Sequence, residues 1–215
     1  MPLRSLSIIL VSATLAFSVL LRAQDRQASG SDAESMHSQS SAIPLILQEK
    51  DGERRVRRPA GPTPAVGTGS IPEFILKIDK QNGNADDFLV ITEVLAPGAI
   101  IPFHKHHNAE EVVIMEEGGA TVVVGDKRAV AGPHSVVFIP RDTWVSIVNA
   151  GQSPIHFYAL FSRQGFEEYL RARSVRPGER VMPLTPEEVR HAAEQGHAMY
   201  WDTSKGPYPP GVPHP

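Results

Sequence analysis

The octapeptide HKHHNAEE, residues 104–111, places three histidines and two glutamates within eight positions. Imidazoles and carboxylates in this density are the nitrogen and oxygen donors of a divalent-metal site. The chain has no cysteine, so thiolate ligands, a disulfide framework and a lipidated cysteine are all excluded.

Which of the five groups can act together depends on the element that carries them. On a β-strand alternate side chains share a face, so His104 and His106 point one way, and Lys105 and His107 the other. Two imidazoles so placed stand about 7 Å apart along the strand and can converge on one ion. The connection Asn108-Ala109-Glu110 lets the chain reverse, and Glu111 opens the next strand, whose inward set is Glu111, Val113 and Met115. Glu110 has the opposite parity and is expected in solvent; His107 is expected at the surface or behind the ligands. Two histidines and one carboxylate with open positions form the arrangement of non-haem iron oxygenases, and it also suits manganese, nickel or zinc. Glu111 is therefore a candidate ligand and, if released from the ion, a candidate general base.

Short strands must position these groups. Apolar runs at Phe74–Ile78, Phe88–Leu95, Val112–Met115, Thr121–Val124, Ser135–Ile139, Trp144–Val148 and Ile155–Phe161 are separated by clusters of turn residues. Seven or eight strands without intervening helices exclude a parallel sheet with crossovers and predict an antiparallel sandwich or barrel, an all-β class. Beyond Ser162 the period changes. GFEEYLRARS (165–174) sets Phe166, Tyr169 and Leu170 on one helical face. LTPEEVRHAAEQG offers Thr185 as N-cap, Pro186 as first helical residue, Glu188 to close a capping box and Gly196 as a stop.

The flanks divide the rest. Residues 1–23, with Arg4 followed by an apolar run from Leu6 to Leu21 and then Arg22-Ala23-Gln24, have the layout of an export leader cleaved near Ala23. The mature chain would then be periplasmic or secreted. Left uncleaved, the run would be the chain's only link to a membrane, though about 16 residues fall short of a span. Residues 24–42 read as a disordered spacer. Residues 43–70 form an N-terminal arm with the short apolar segment Ile43–Leu47, the basic run GERRVRRP and the Pro-rich loop that begins at Gly61. The basic run reads as a solvated strand or turn, not an anion site, because it is short and lacks aromatic partners. Residues 71–163 are the barrel, 164–203 a helical extension, and 204–215 a Pro-rich tail that suits neither regular structure. A formal charge of −3 over 215 residues implies no nucleic-acid partner.

One spacing is recognisable. Gly98 to Gly118 runs Gly, five residues, His104, one residue, His106, four residues, Glu111, six residues, Gly, and is identified as the first motif of the cupin superfamily. The resemblance implies a small double-stranded β-helix or jelly-roll barrel followed here by two short helices, a homodimer, and a divalent metal held inside by His104, His106 and Glu111. The second cupin motif is incomplete. Pro140 and Asn149 are in place, but its two glycine positions hold His134 and Asp142, and its histidine position holds Val145. The fourth usual ligand is absent, which leaves an extra position for water, oxygen or a bidentate substrate and lowers affinity for the ion. His156 and His134 were the conceivable replacements, and both are expected to be ordinary core or surface groups. Phe103, Met115, Val145, Ile147 and Asn149 are candidate pocket residues, with Trp144 of opposite parity to Val145 and expected to pack outside.

The run TWVSIVNAGQSPIHFYALFSRQGFEEYLRARSV and the later LTPEEVRHAAEQGH are similar to single-domain, quercetinase-like cupins. That resemblance implies a dioxygenase-like metal enzyme acting on a small compound, aromatic or otherwise. Val145 supports an alternative, a non-catalytic cupin that binds a small molecule or serves a structural role. An isomerase or lyase using the same metal without oxygen is the third reading, since one fold hosts many chemistries.

Overall fold

Residues 41–59, 73–201 and 208–213 are described by a computed structural model of the chain and belong to one compact unit, Gln39–Pro215. The expected leader, nearly all of the spacer and the whole Pro-rich loop, 61–72, lie outside the described residues. The elements run β1 (Glu53–Arg57), β2 (Glu73–Ile78), β3 (Leu89–Leu95), β4 (Ile100–His106), β5 (Glu111–Glu117), β6 (Ala120–Val124), β7 (Lys127–Ala131), β8 (Val136–Ile139), β9 (Val145–Val148) and β10 (Ile155–Phe161). After them come α1 (Phe166–Ala172), β11 (Ser174–Val175), α2 (Pro186–Gln195) and β12 (Ala198–Tyr200).

Alternation is what makes these strands. Along β10, Ile155, Phe157, Ala159 and Phe161 are buried while the residues between them are only partly so. β3 repeats the pattern with Leu89, Ile91, Glu93 and Leu95 inward, and β5 with Glu111, Val113 and Met115 inward. Each strand therefore has one face that gains from leaving water, and two sheets close over those faces. One sheet has the order β11-β1-β2-β3-β10-β5-β8, the other β12-β4-β9-β6-β7. The strand pairs are antiparallel, as between β4 and β9 or β10 and β5. Leu76, Leu89, Ile91, Val113, Met115 and Phe157 from the first sheet meet Val122, Val145 and Ile147 from the second in one buried cluster. This is the all-β jelly-roll barrel expected of the chain.

The helices form where their signals stand. Thr185 caps α2 by accepting from the Glu188 backbone N–H, Glu188 returns the bond to the Thr185 N–H, Pro186 occupies the first turn and Gly196 ends the helix. Phe166, Tyr169 and Leu170 are the buried apolar residues of α1. The strands that reading by apolar period does not find are β1, β7, β11 and β12. β7 (KRAVA) is a largely exposed edge strand with no apolar face, held by pairing to β6 across a tight turn. β11 and β12 are two and three residues long and exist because β1 and β4 offer them an open edge. The basic run is a strand, but not a solvated one. Arg55 and Arg57 in β1 are largely buried, with side-chain exposures of 13% and 23%.

The departures from the second motif have a backbone consequence. His134 and Asp142, standing at its glycine positions, both keep the left-handed conformation, with φ of 64° and 57°. Asp and His are among the non-glycine residues that tolerate this region, so the turns survive the loss of the glycines. Gly118 shows the opposite constraint, since with φ 76° a Cβ there would stand 2.6 Å from Ile155 Cγ2. Gly118→Ala is expected to destabilise the fold by about 1–3 kcal/mol, read as a lower urea midpoint at unchanged slope.

Candidate metal centre

The sheet pairing brings the ligand triad together across the two layers. His104 and His106 lie on β4 in the smaller sheet, while Glu111 is the first residue of β5 in the larger one. The reversal between them is pinned at several points. His107 N–H donates to His197 O at 2.9 Å, Glu110 N–H to Ser162 Oγ at 2.9 Å, and Ser162 N–H to Glu110 O at 3.0 Å. His104, His106 and Glu111 each offer one ligand atom, and all three atoms lie within 4.8 Å of one another, close to twice the usual metal–ligand distance of about 2.0–2.2 Å.

The three side chains are buried, at 5%, 3% and 6% exposure. His106 Nε2 and Glu111 Oε2 stand 3.4 Å apart, yet neither has a hydrogen-bond partner among the described residues. Buried polar atoms are nearly always satisfied, and leaving one unmet costs about 1–3 kcal/mol. Two such atoms aimed at one point are what a ligand set for a cation looks like without its cation. The donor set therefore fits a divalent ion.

His104 is oriented for the same task. Its Nδ1 lies 2.8 Å from Pro102 O, and a carbonyl can only accept, so Nδ1 carries the proton and Nε2 presents its lone pair. Tyr200 stacks on the ring at 5.3 Å, and the edge of the His106 ring meets Phe161 at 5.0 Å and Phe166 at 4.5 Å. Burial first, and then the neighbouring His106, push the His104 pKa down to about 4, so this imidazole is neutral at pH 7. The folded value lies below the free one of about 6.5, so on acidification the unfolded chain takes up this proton first. The contribution of His104 to stability is complete above about pH 6.5 and disappears as the pH falls towards 4, amounting to roughly 3 kcal/mol. Urea midpoints of the metal-free protein between pH 7 and pH 4.5 are expected to fall more steeply for the native chain than for His104→Gln.

His104 and Glu111 line a small, partly enclosed cavity of about 30 Å³, together with Val145, Ile147, Ile101 and Phe157 among others. Val145 pairs in register with His104, which puts its methyl groups beside the ligand. Phe103, Met115 and Asn149, expected in this pocket, are placed elsewhere. Phe103 precedes His104 and so faces the other side of the strand, where its ring meets Tyr208 at 5.5 Å. A register shift between Ile101 and His104 lets those two residues, three apart, share the cavity face and leaves Phe103 outside it. Met115 shares the inward face of β5 with Glu111, four residues further along, and is fully buried in the apolar core without lining the cavity. Asn149 is a staple. Its Nδ2 donates to Leu95 O at 2.8 Å and Ser153 O at 2.9 Å, and its Oδ1 accepts from Gly151 N–H at 3.0 Å. Trp144 packs outside, edge to face with Trp201 at 5.9 Å. His156 is on the outward face of β10 and His134 is exposed in its turn, so neither joins the triad. His107, likewise exposed, pairs with Asp142.

Three lining residues come from outside the central barrel strands. Arg57 is on β1, Phe166 on α1 and Tyr200 on β12, and together with Glu93 of β3 they close the mouth. Only Glu93 had a visible signal, a single carboxylate at an inward position of LVITEVL, which needs a buried partner. Arg57 supplies it at 2.6 Å. Burial works against the Arg57 charge, but Glu93 and the nearby tyrosines outweigh it and hold its pKa above the ordinary value. Burial also pushes the Tyr200 hydroxyl well above the usual phenol range, so it remains protonated.

Residues 91–161 match the family model of the cupin domain. Among solved structures, the chain resembles a predicted oxalate decarboxylase from Thermotoga maritima at 18% identity, with TM-score 0.46 over 55% of this chain and 99% of that one. A cupin-superfamily sugar phosphate isomerase from Silicibacter pomeroyi aligns at 23% identity, with TM-score 0.47 over 56% and 77% of the two chains. A dimethylsulfoniopropionate (DMSP) lyase from Ruegeria pomeroyi aligns at 24% identity, with TM-score 0.34 over 36% and 39%. A search of the curated proteins finds no match.

Proposed function

We propose that this chain is an exported cupin that holds one divalent ion at His104, His106 and Glu111 and uses it for dioxygenase-like chemistry on a small compound. The observation that carries the reading is the pair of partnerless buried atoms, His106 Nε2 and Glu111 Oε2, converging with His104. When bound, iron, manganese, nickel or zinc would supply Lewis-acid or redox chemistry at the positions that three protein ligands leave open. The chain's own share is to orient the donors and keep the site dry. Pro102 O fixes the His104 tautomer, Val145 and the aromatic wall exclude bulk water, and the carboxylate of Glu111 is the group placed to accept a proton.

A cavity of about 30 Å³ has room for only a few non-hydrogen atoms. That size favours a small substrate over a polycyclic aromatic one, unless the wall formed by Tyr200 and Phe166 opens. The α1 and α2 extension is in keeping with the single-domain quercetinase-like subgroup. Removal of the leader near Ala23 and assembly as a homodimer belong to the same proposal, and are tested by N-terminal sequencing of the exported protein and by light scattering.

The deciding experiment is metal analysis of untagged protein purified without chelators. Stoichiometric iron, manganese, nickel or zinc supports the reading; a protein that carries none and takes up none overturns it. With metal present, oxygen consumption across small carboxylates and phenolics separates an oxygenase from an isomerase or lyase. Metal with ligand binding but no turnover would mark a binding module, the reading that the small cavity and Val145 favour.

A further inference from the structure

One arginine of the basic run in the N-terminal arm, Arg57, lines the cavity beside the triad. Arg57, the last residue of β1, lies over the ring of Phe74 with its guanidinium carbon 4.9 Å from the ring centre, and reaches Glu93 at 2.6 Å. Phe74 pairs with Glu93 across β2 and β3, so the ring and the carboxylate together fix the plane of the guanidinium. Arg57 and Glu93 line the same cavity as His104 and Glu111. A guanidinium carries five N–H donors in a rigid fork, more than one carboxylate oxygen can occupy.

The charges around this cavity do not balance. With the histidines neutral as ligands, a divalent ion and Arg57 bring three positive charges, while Glu111 and Glu93 bring two negative ones. One net positive charge remains in a largely buried site, where an uncompensated charge is costly. A monoanion cancels it; a dianion would reverse it, and a neutral ligand would leave it standing.

We infer that the cavity binds a small carboxylate, or an oxyanion of like charge and size, of about three or four non-hydrogen atoms, its charge held by the Arg57 fork and its other edge turned toward the triad. The inference rests on the metal reading above, and it assigns the substrate class of that site. Glu93 orients the fork and limits the site to single charge. The size follows from the cavity of about 30 Å³.

The test uses the protein loaded with Co(II), whose visible absorption reports on the site, titrated with formate and with its neutral counterpart formamide. Native protein is expected to bind formate with a low-millimolar dissociation constant, about what a three-atom ligand can reach, and not to respond to formamide. Arg57→Met is expected to weaken formate at least about tenfold, by removing both the fork and the positive charge. Glu93→Gln, which removes a negative charge from the cavity, is expected to tighten formate about three- to tenfold. General damage to the fold would weaken both variants, so the opposite signs distinguish recognition from structure. Equal response to formamide, or formate affinity unchanged in Arg57→Met, overturns the inference and leaves the metal reading standing. Failure of the native protein to take up Co(II) overturns both.

Discussion

Adding a saturating divalent metal to metal-stripped protein is expected to raise its melting temperature by roughly 10 °C, and His106→Leu is expected to abolish the rise. An ion present at about a thousandfold its dissociation constant stabilises the fold by about 4 kcal/mol, which at this chain length corresponds to some 2–4 °C per kcal/mol. His106 supplies one of the three donors found among the described residues. Its removal should weaken the ion by more than the 10–100-fold that follows loss of a group merely supporting a ligand. The same variant separates a ligand from an ordinary core histidine in the absence of metal. His106 is 3% exposed and its ring is packed against Phe161 and Phe166, but its Nε2 is unsatisfied. Leucine keeps most of the packing and removes the orphaned nitrogen, so metal-free His106→Leu is expected to equal or exceed the native chain in stability, by up to about 2 kcal/mol. A histidine retained for the fold would show a loss instead. A metal-induced shift that survives in the variant would place the ion elsewhere.

The parts of this architecture legible in the sequence are those that depend on local rules. The triad follows from two-residue alternation on β4 and a tight reversal into β5, and α2 follows from its capping box. Alternation fails where the chain breaks its own period. The register shift between Ile101 and His104 cannot be inferred from IIPFHKH, and it decides that Ile101, not Phe103, faces the cavity. The pocket wall departs from simple alternation for a second reason. Met115 and Asn149 are inward or buried as their positions suggest, but distance along the strand, not parity, sets which inward residue touches the ligands. The mouth of the site was invisible because its residues are brought together by pairing over long sequence separation. Arg57 reaches Glu93 across β2, and Tyr200 reaches His104 because β12 adds to the free edge of β4 with Tyr200 in register with His104. Such edge additions carry no local signal in segments as short as AMY. The chain segments that look like trimmings in composition are the ones that close the cavity.

Arg171→Met tests how far that closure depends on the extension, and is expected to lower the melting temperature by roughly 6–12 °C. Asp79, at the end of β2, is completely buried; its Oδ1 accepts the N–H groups of Gln81 at 2.9 Å and Asn82 at 2.7 Å, and its Oδ2 faces Arg171. The same guanidinium holds Glu53 Oε2 of β1 at 2.7 Å. Arg171 is thus the cation through which α1 is fastened to both the barrel and the arm. Removing it leaves the Asp79 charge buried without its counter-ion, a change that costs about 3–5 kcal/mol in fully buried pairs. The side chain of Arg171 keeps 14% of its exposure, which argues for the lower end of that range, about 3 kcal/mol. Asp79→Asn in the same chain removes the stranded charge and is expected to restore part of the loss, measured as the coupling in a double-mutant cycle. The effect should reach the metal centre without touching a ligand, because α1 carries Phe166 and the chain leads on from it to Tyr200, the residue stacked on His104. Weaker metal binding in Arg171→Met, restored with the fold by Asp79→Asn, would mean that the extension holds the donors in place. Unchanged metal binding in a less stable protein would mean that β4 and β5 hold them unaided and the extension serves only to close the cavity.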